Sequence, residues 1–409
     1  MIYINVQPSP DYINETVAHT ISAGLAHTSQ RNGSLSKKMN FEFSEDSKLL
    51  RDQARRFLSE QSPPKVARRV LEGEAPCDFA LWKSIAELGW LGVCIPEEYG
   101  GNAMGYEGLC LLAEQLGASL APIPFSSSVY LATEAILAAG SGEQKQTYLP
   151  NLANGSLIGA FALAEGVGNP SCSQVAAAIH RGRLTGMKLP VADGNIADFA
   201  IVVAKDDGGR IGLYLADLHK TGVSRTPLES IDRSRDQARL VFKDVVVEPL
   251  EVGEDGWKVV ERLLDRAAIL VAFEQIGGAQ ACLDMACKYA MERFAFGRPI
   301  GSFQAIKHKL ANVYIATELA RSNAYYGAWA ISTNATELPL AAATARLSAI
   351  DAYHVASKEN IQTHGGMGFT WEFDCHLYYR RAKLLSLCLG SAPYWKERLI
   401  AQLEVRDGA

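Results

Sequence analysis

The hydrophobic period of this 409-residue chain changes twice along its length, and this change constrains the fold more than any other feature. Apolar residues recur at spacings of three and four over residues 41–156, which predicts amphipathic helices. Residues 157–250 instead carry short β-branched and aromatic runs without intervening helices, which predicts an antiparallel sheet. Helical spacing returns over residues 251–409. We therefore predict an α+β multidomain fold with an N-terminal helical domain, a middle antiparallel β domain and a C-terminal four-helix bundle.

Composition and charge exclude several classes of protein. The formal net charge is −5 and no basic stretch is long enough to follow a phosphate backbone, so nucleic acid is a poor candidate partner. No run of about twenty apolar residues occurs, so no membrane span is predicted. The eight cysteines are scattered without a C-x-x-C pair, which argues against a metal site or a disulfide framework and favours a reducing, cytoplasmic compartment. Residues 1–40 are polar without periodic apolar positions, and we expect them to form a disordered extension.

The segment from Arg293 to His308 combines an arginine with a Gly-Pro-Gly turn. We expect one helix to end at Gly297, because Pro299 cannot continue it, and a new helix to start at Ser302. An arginine at a helix end can simply complement the helix dipole. Beside a glycine turn, its guanidinium can also hold a pyrophosphate in two places. The residues alone leave both interpretations open.

A second glycine cluster lies downstream, between Gln362 and Glu372. Glycines let backbone N–H groups approach an anion closely, and Gln362 adds a side-chain donor. A lone cluster of this kind is usually only a turn, and no strand precedes it as a Rossmann dinucleotide fingerprint requires. By itself this segment is therefore ambiguous.

Together, these segments resemble those of a known family. The string Ile95-Pro-Glu-Glu-Tyr-Gly-Gly101, the segment 293–308 and the segment 362–372 follow in this order through a helix–strand–helix plan. From about Phe41 onward the chain resembles the acyl-CoA dehydrogenases. The resemblance implies that FAD removes two hydrogens from the α and β carbons of an acyl-CoA, that the enzyme is a tetramer, and that each FAD lies across a subunit boundary. It also implies an electron-transferring flavoprotein as the electron acceptor.

The resemblance assigns six residues to the ADP half of the cofactor. Three of them match family residues that bind the FAD of a neighbouring subunit: Arg293, Phe296 and Gln304. The other three match the glycine turn that packs on the pyrophosphate: Gln362, Gly365 and Gly366. All six residue types are retained in this chain.

The residues that relatives place around the flavin ring are absent. The family usually reads Thr-Glu-Pro-x-x-Gly-Ser-Asp after the first strand, whereas this chain starts the segment with Ala164, which has no hydroxyl. In the family motif Lys-x-Trp-Ile-Thr/Ser, Pro190 replaces the tryptophan that stacks on the ring and Ala192 replaces the hydroxyl residue. Three losses around one half of one cofactor argue against a self-sufficient flavoenzyme.

The catalytic base is also missing. Most relatives have a glutamate at the position of Leu389, and a minority have it at the position of Ala267. Glu274 lies seven residues beyond Ala267 on the same predicted helix, about 10 Å along its axis, and is a weak candidate for the catalytic base. A glutamate in the middle of a helix beside two glycines is more often a paired structural carboxylate.

These patterns favour one subunit of a heteromeric acyl-CoA dehydrogenase that shares FAD with a homologous partner subunit in a heterotetramer. Two-chain relatives are similar to this chain in the segments 370–372 and 376–381, and they act on bulky substrates such as sterol side-chain CoA esters. Fatty-acid or steroid side-chain degradation is therefore the expected role. Two alternatives stay open: a self-sufficient homo-oligomer with a displaced base, and a non-catalytic scaffold subunit.

Overall fold

The structure is a computed structural model that describes residues 43–253 and 255–407. Helices occupy both ends of this part of the chain, and a largely antiparallel sheet lies between them in sequence. The predicted α+β class is confirmed. The extension expected at residues 1–40 lies outside the described residues. Among the residues that are described, no helix is both long enough and apolar enough to cross a membrane.

Two of the N-terminal helices show how side chains of the sequence cap a helix start. Ser44 caps the first helix by accepting a hydrogen bond from Ser47 N at 3.2 Å, and Asp78 caps the third by accepting one from Leu81 N at 2.9 Å. A π-helical stretch, Ser126–Thr133, runs directly into the fifth helix, so the helical segment begins with a wider turn. The helices are α1 (Glu45–Gln61), α2 (Pro64–Leu71), α3 (Phe79–Glu87), α4 (Gly105–Ala118), α5 (Glu134–Ala139) and α6 (Gly142–Ala153).

The middle of the chain forms a sheet with the order β6-β7-β3-β2-β4-β5-β8, and β1 pairs with β4. Its strands are β1 (Gly159–Ala162), β2 (Ala178–His180), β3 (Arg183–Ala192), β4 (Phe199–Lys205), β5 (Ile211–Asp217), β6 (Val223–Pro227), β7 (Gln237–Val246) and β8 (Glu248–Pro249). The pairing is antiparallel except where β4 meets β1 and β2. Residues 206–210 form the turn between β4 and β5, in which the Asp206 carboxylate accepts hydrogen bonds from the backbone N–H groups of Gly208 and Arg210 at 2.8 and 2.9 Å.

The C-terminal region contains the four predicted helices and a further one. They are α7 (Gly256–Glu292), α8 (Gln304–Ser332), α9 (Leu338–His364), α10 (Cys375–Leu387) and the additional α11 (Ala392–Asp407). Trp395 of α11 is fully buried, so the last helix is part of the core rather than a tail. Between α7 and α8 the chain makes a small hairpin of β9 (Phe294–Ala295) and β10 (Arg298–Pro299).

Two glycines bring α4 and α7 into direct backbone contact. A Cβ added at Gly277 would lie 1.8 Å from the Glu114 carbonyl oxygen, and one added at Gly117 would lie 1.9 Å from the Glu274 carbonyl oxygen. Each helix thus places a glycine against a carbonyl of the other. This crossing fixes α7, the helix whose C-terminal end carries Arg293, against the N-terminal region.

Candidate functional site

Arg293 stands where α7 ends and the β9–β10 hairpin begins. The helix ends at Glu292 and not at Gly297 as the sequence suggested, because Arg293 already has extended backbone angles. Phe296 and Gly297 form the hairpin turn with φ values of 52° and 75°. Two consecutive positive φ values are typical of a type I′ turn, which matches the twist of the flanking strands. A helix that continued to Gly297 would have turned the side chains of this segment in other directions.

The hairpin projects Phe296 into solvent. The Phe296 side chain is 96% exposed. The Phe296 backbone lies in the left-handed region, which bulky residues rarely adopt. The nearest aromatic neighbour of the ring is Phe303, at 6.2 Å between ring centroids, and the Arg298 guanidinium lies 4.1 Å over that second ring. Gln304 is the first residue of α8 and is exposed as well. An aromatic ring held outward in this way is more typical of a binding surface than of a folding requirement.

The glycine turn lies at the C-terminal end of α9. The helix ends at His364, and Gly365 follows with φ of 61° and ψ of −137°. A Cβ at Gly365 or Gly366 would meet no atom within 4 Å, so both glycines border open space that a side chain would fill. Gln362, in the last turn of α9, is exposed.

A cleft of about 390 Å³ joins the hairpin to the glycine turn. Three of the six predicted cofactor residues line it, namely Arg293, Gly365 and Gly366, whereas the other three, Phe296, Gln304 and Gln362, are exposed outside its lining. Its other lining residues are Tyr289, Ile300, Thr363, His364 and Met367. A guanidinium group beside two unobstructed glycines suits an anion such as a pyrophosphate.

An aromatic stack forms a wall that this cleft shares with a second one. The rings of Tyr289 and His364 are stacked at 4.1 Å between centroids, and His364 Nδ1 donates to the Asn360 carbonyl at 2.8 Å. The second cleft, about 310 Å³, includes Lys288 and Phe373 in its lining. Sequence analysis did not predict Tyr289, although its position one helical turn before Arg293 was a usable signal.

The positions that the resemblance assigns to the flavin ring lie close together, where the segment after β1 meets β3. Leu189 N donates to the Ala164 carbonyl at 2.8 Å, which places Ala164 beside the segment that contains Pro190. The buried Lys188 ammonium donates to Glu165 at 2.7 Å and to the Leu163 carbonyl at 3.0 Å. Burial lowers the pKa of Lys188. Lys188 and Glu165 are therefore paired with each other. Ala164, Pro190 and Ala192 have no hydroxyl group that could donate to a flavin ring.

Neither family position for the base carries a carboxylate. Ala267 is fully buried on α7, and Leu389 lies in the turn after α10 with φ of 61°. Glu274 is 1% exposed, and its carboxylate forms an ion pair with Arg235 and lies 3.6 Å from Arg381 Nη1. Glu274 is therefore a buried carboxylate paired with two arginines.

Glu274 belongs to a buried polar network between the sheet and the helices. Arg381 donates to Asp232 at 2.5 Å and to the Ser234 hydroxyl at 2.9 Å, and Arg235 donates to the Ser126 hydroxyl at 3.0 Å. Nearby, Ser127 donates to Asp193 at 2.5 Å, and burial raises the pKa of Asp193 to about 6. These groups pair with one another, which is the usual condition for charges in a protein interior.

Comparisons with known proteins identify the family. The model of the acyl-CoA dehydrogenase N-terminal domain matches residues 44–156, and that of the acyl-CoA dehydrogenase C-terminal domain matches residues 254–403. Acyl-CoA dehydrogenase IpdE2 of Mycobacterium tuberculosis is 35% identical over 341 residues, which are 83% of this chain and 91% of the relative.

Solved structures give the same result. The ChsE4-ChsE5 complex from Mycobacterium tuberculosis has a chain with a TM-score of 0.81 and 28% identity, covering 89% of this chain and 99% of its own length. A chain of the Tcur3481-Tcur3483 steroid ACAD has a TM-score of 0.81 and 30% identity over the same shares of the two chains, 89% and 99%. The chain therefore belongs to the acyl-CoA dehydrogenase family, whose members are FAD-dependent oxidoreductases acting on CH–CH bonds.

Proposed function

We propose that the chain is one subunit of a heteromeric acyl-CoA dehydrogenase. In this proposal it holds the ADP half of an FAD, and a homologous partner subunit supplies the contacts to the flavin ring and the catalytic base. One observation carries the proposal: Arg293, Gly365 and Gly366 line a common cleft, whereas the two family positions for the base hold Ala267 and Leu389.

The cleft residues fit the ADP half of FAD. The Arg293 guanidinium would hold the pyrophosphate, and the open space at Gly365 and Gly366 would let it approach the backbone. Phe296 and Gln304 would contact the cofactor from the exposed side of the hairpin and of α8. Bound FAD supplies the acceptor for the hydride that leaves the acyl β carbon. The α proton requires a carboxylate, which this chain lacks at both family positions.

An apolar face on α8 supports the presence of a partner subunit. Ile315 and Leu319 are 54% and 62% exposed. Ile315 follows Gln304 by eleven residues, close to three full helical turns, so both lie on the same face of the helix. The predicted cofactor residue and the exposed apolar residues would thus meet the same neighbour. This continuity is expected where a cofactor lies across a subunit boundary.

The proposed assembly is a heterotetramer, and the proposed substrate is a bulky acyl-CoA such as a sterol side-chain CoA ester. The similarity to one solved structure of a two-protein complex and to another of a steroid ACAD supports both parts of this proposal. An electron-transferring flavoprotein is the proposed electron acceptor, as the family resemblance implies.

Visible absorption spectra of the chain, purified alone and together with a homologous partner, test the proposal. The partner should have the ring-contacting hydroxyl residues and a glutamate at the position of Leu389 or Ala267. We expect the chain alone to lack stoichiometric flavin and acyl-CoA turnover, and the co-purified complex to show both. Arg293→Ala should lower the FAD content of the complex, whereas Arg56→Ala, at an exposed position on α1, should leave it unchanged.

The alternatives give different results in the same experiment. Stoichiometric flavin and turnover by the chain alone would contradict the proposal and indicate a self-sufficient homo-oligomer. A complex that binds FAD equally well with and without the Arg293 guanidinium would indicate a scaffold subunit instead.

A further inference from the structure

A short link, residues 370–374, connects the glycine turn to α10 and lies against α2 of the N-terminal region. Arg68 of α2 donates to the Trp371 carbonyl at 2.5 Å through Nη1 and to the Asp374 carboxylate at 2.7 Å through Nη2. The two nitrogen atoms of one guanidinium thus hold both halves of the link. The arginine side chain is only 18% exposed, so most of it is removed from solvent.

The Trp371 side chain makes a second contact between the link and the end of α2. Its Nε1 donates to the carboxylate of Glu72, the residue directly after α2, at 2.9 Å. The His376 ring is stacked on it at 4.5 Å between centroids with an interplanar angle of 19°, and the Arg68 guanidinium carbon lies 5.4 Å from the ring centroid. Burial lowers the pKa of His376, and the positive charges of Arg68 and Arg380 lower it too, whereas the hydrogen bond to the Trp371 carbonyl opposes them.

The inner side of the link contacts the wall of the cleft. The Phe373 ring lies 5.7 Å from His364 and 6.3 Å from Tyr289, measured between centroids. His364 and Tyr289 are the two stacked residues that line the cleft between the hairpin and the glycine turn. The link is therefore held between α2 on one side and the cleft wall on the other.

The glycine turn is the short 3₁₀ helix Gly365–Phe369, in which Gly368 is buried against Ile361 and His364 of α9. Gly365, Gly366 and Met367 are exposed, and a Cβ at either glycine would meet no atom within 4 Å. The position of this exposed part therefore depends on α9, against which Gly368 packs, and on the link that follows the turn. An anion-binding turn that must be ordered when its ligand arrives binds more weakly than one that is already in place.

We propose that Arg68 and Trp371 are positioning residues for the nucleotide: by anchoring the link to α2, they hold the glycine turn in the geometry that receives the pyrophosphate of FAD. This inference rests on the proposed function, because it concerns the same ADP half of the cofactor. It adds a contribution from the N-terminal region, none of whose described residues lines the cleft.

FAD titration of the apo complex, formed with the partner subunit and followed by flavin fluorescence, tests the proposal. We expect Arg68→Ala and Trp371→Ala to weaken FAD binding by about tenfold or more, because the turn must then be ordered on binding. Arg69→Ala is the matched control: its guanidinium, on the next residue of α2, faces Asp78 at 3.5 Å, and it should leave the affinity unchanged. Trp371→Phe keeps a ring but loses the bond to Glu72, and it should fall between wild type and Trp371→Ala.

A second measurement separates positioning from general destabilisation. With saturating FAD, the Arg68 and Trp371 variants should recover wild-type turnover, whereas a misfolded complex would not. Unchanged FAD affinity in Arg68→Ala and in both Trp371 variants would overturn the inference. If Arg293→Ala weakens FAD binding while these variants do not, only the positioning role fails; if Arg293→Ala also has no effect, the proposed function fails.

Discussion

At the residue scale, the carboxylate of Glu274 is shared between two guanidinium groups. Arg235 and Arg381 are each buried, and Arg381 also pairs with Asp232. Removing one charge from such a group leaves its partner buried without full compensation, and the loss is typically about 3 to 5 kcal/mol.

Glu274→Gln should therefore lower the free energy of unfolding by about 3 kcal/mol, measured by urea denaturation of the purified protein. Glu261→Gln is the control on the same helix, because the Glu261 side chain is 42% exposed and its carboxylate lies 3.5 Å from Arg398. This substitution should lower the free energy of unfolding by less than about 1 kcal/mol. A Glu274→Gln protein that is as stable as wild type but has lost turnover would instead identify Glu274 as the base.

The sequence supports predictions for single residues only where a local pattern exists. It retains all six ADP-half residues, and three of them line one cleft. No local pattern connects Arg235, Glu274 and Arg381, because buried ion pairs between distant segments depend on how the sheet and the helices meet. For the same reason, the contact of Arg68 with the Trp371 carbonyl could not be predicted, because the two residues are 303 positions apart in the sequence.

At the scale of elements, the crossing of α4 and α7 depends on glycines that touch carbonyl oxygens. Gly277→Ala should lower the free energy of unfolding by about 3 kcal/mol, since the added Cβ would lie 1.8 Å from the Glu114 carbonyl oxygen and the helices would have to separate.

Gly142→Ala is the matched control for this crossing. Gly142 begins α6, a Cβ there would meet no atom within 4 Å, and the substitution should be neutral or add up to about 1 kcal/mol of stability. Thermal and urea unfolding of both variants would decide; equal stability of the two proteins would contradict the proposed close approach.

Hydrophobic periods predicted the order of the elements but not all of their boundaries. The β9–β10 hairpin escaped prediction because Phe-Gly, rather than the usual Asn-Gly, occupies its turn. The helix α11 does have a signal in the sequence, since Trp395, Leu399 and Leu403 recur every four residues. The parallel pairing of β1 with β4 depends on how the chain crosses the sheet, which no strand pattern encodes.

At the scale of the whole molecule, the exposed apolar face of α8 should bind the partner subunit. Leu319→Glu should weaken assembly of the complex by about tenfold or more, because it places a charge among apolar side chains that binding removes from water. Analytical ultracentrifugation of mixtures over a range of concentrations measures this.

Leu49→Glu on α1 is the matched control, because Leu49 is 61% exposed and Leu319 is 62% exposed. It should leave assembly unchanged. Equal effects of the two substitutions would place the subunit contact elsewhere than on α8.

The outward ring of Phe296 has a consequence for how this polypeptide is produced. The phenyl ring is held in solvent by the tight turn that contains it. Such an exposed apolar group can bind nonspecifically to hydrophobic surfaces of other proteins in the cell. In the proposed heteromer, a newly synthesised chain would be protected from such association when the partner subunit is present to cover the ring. Synthesis of both polypeptides in the same host should for this reason yield more usable enzyme than mixing them after separate isolation.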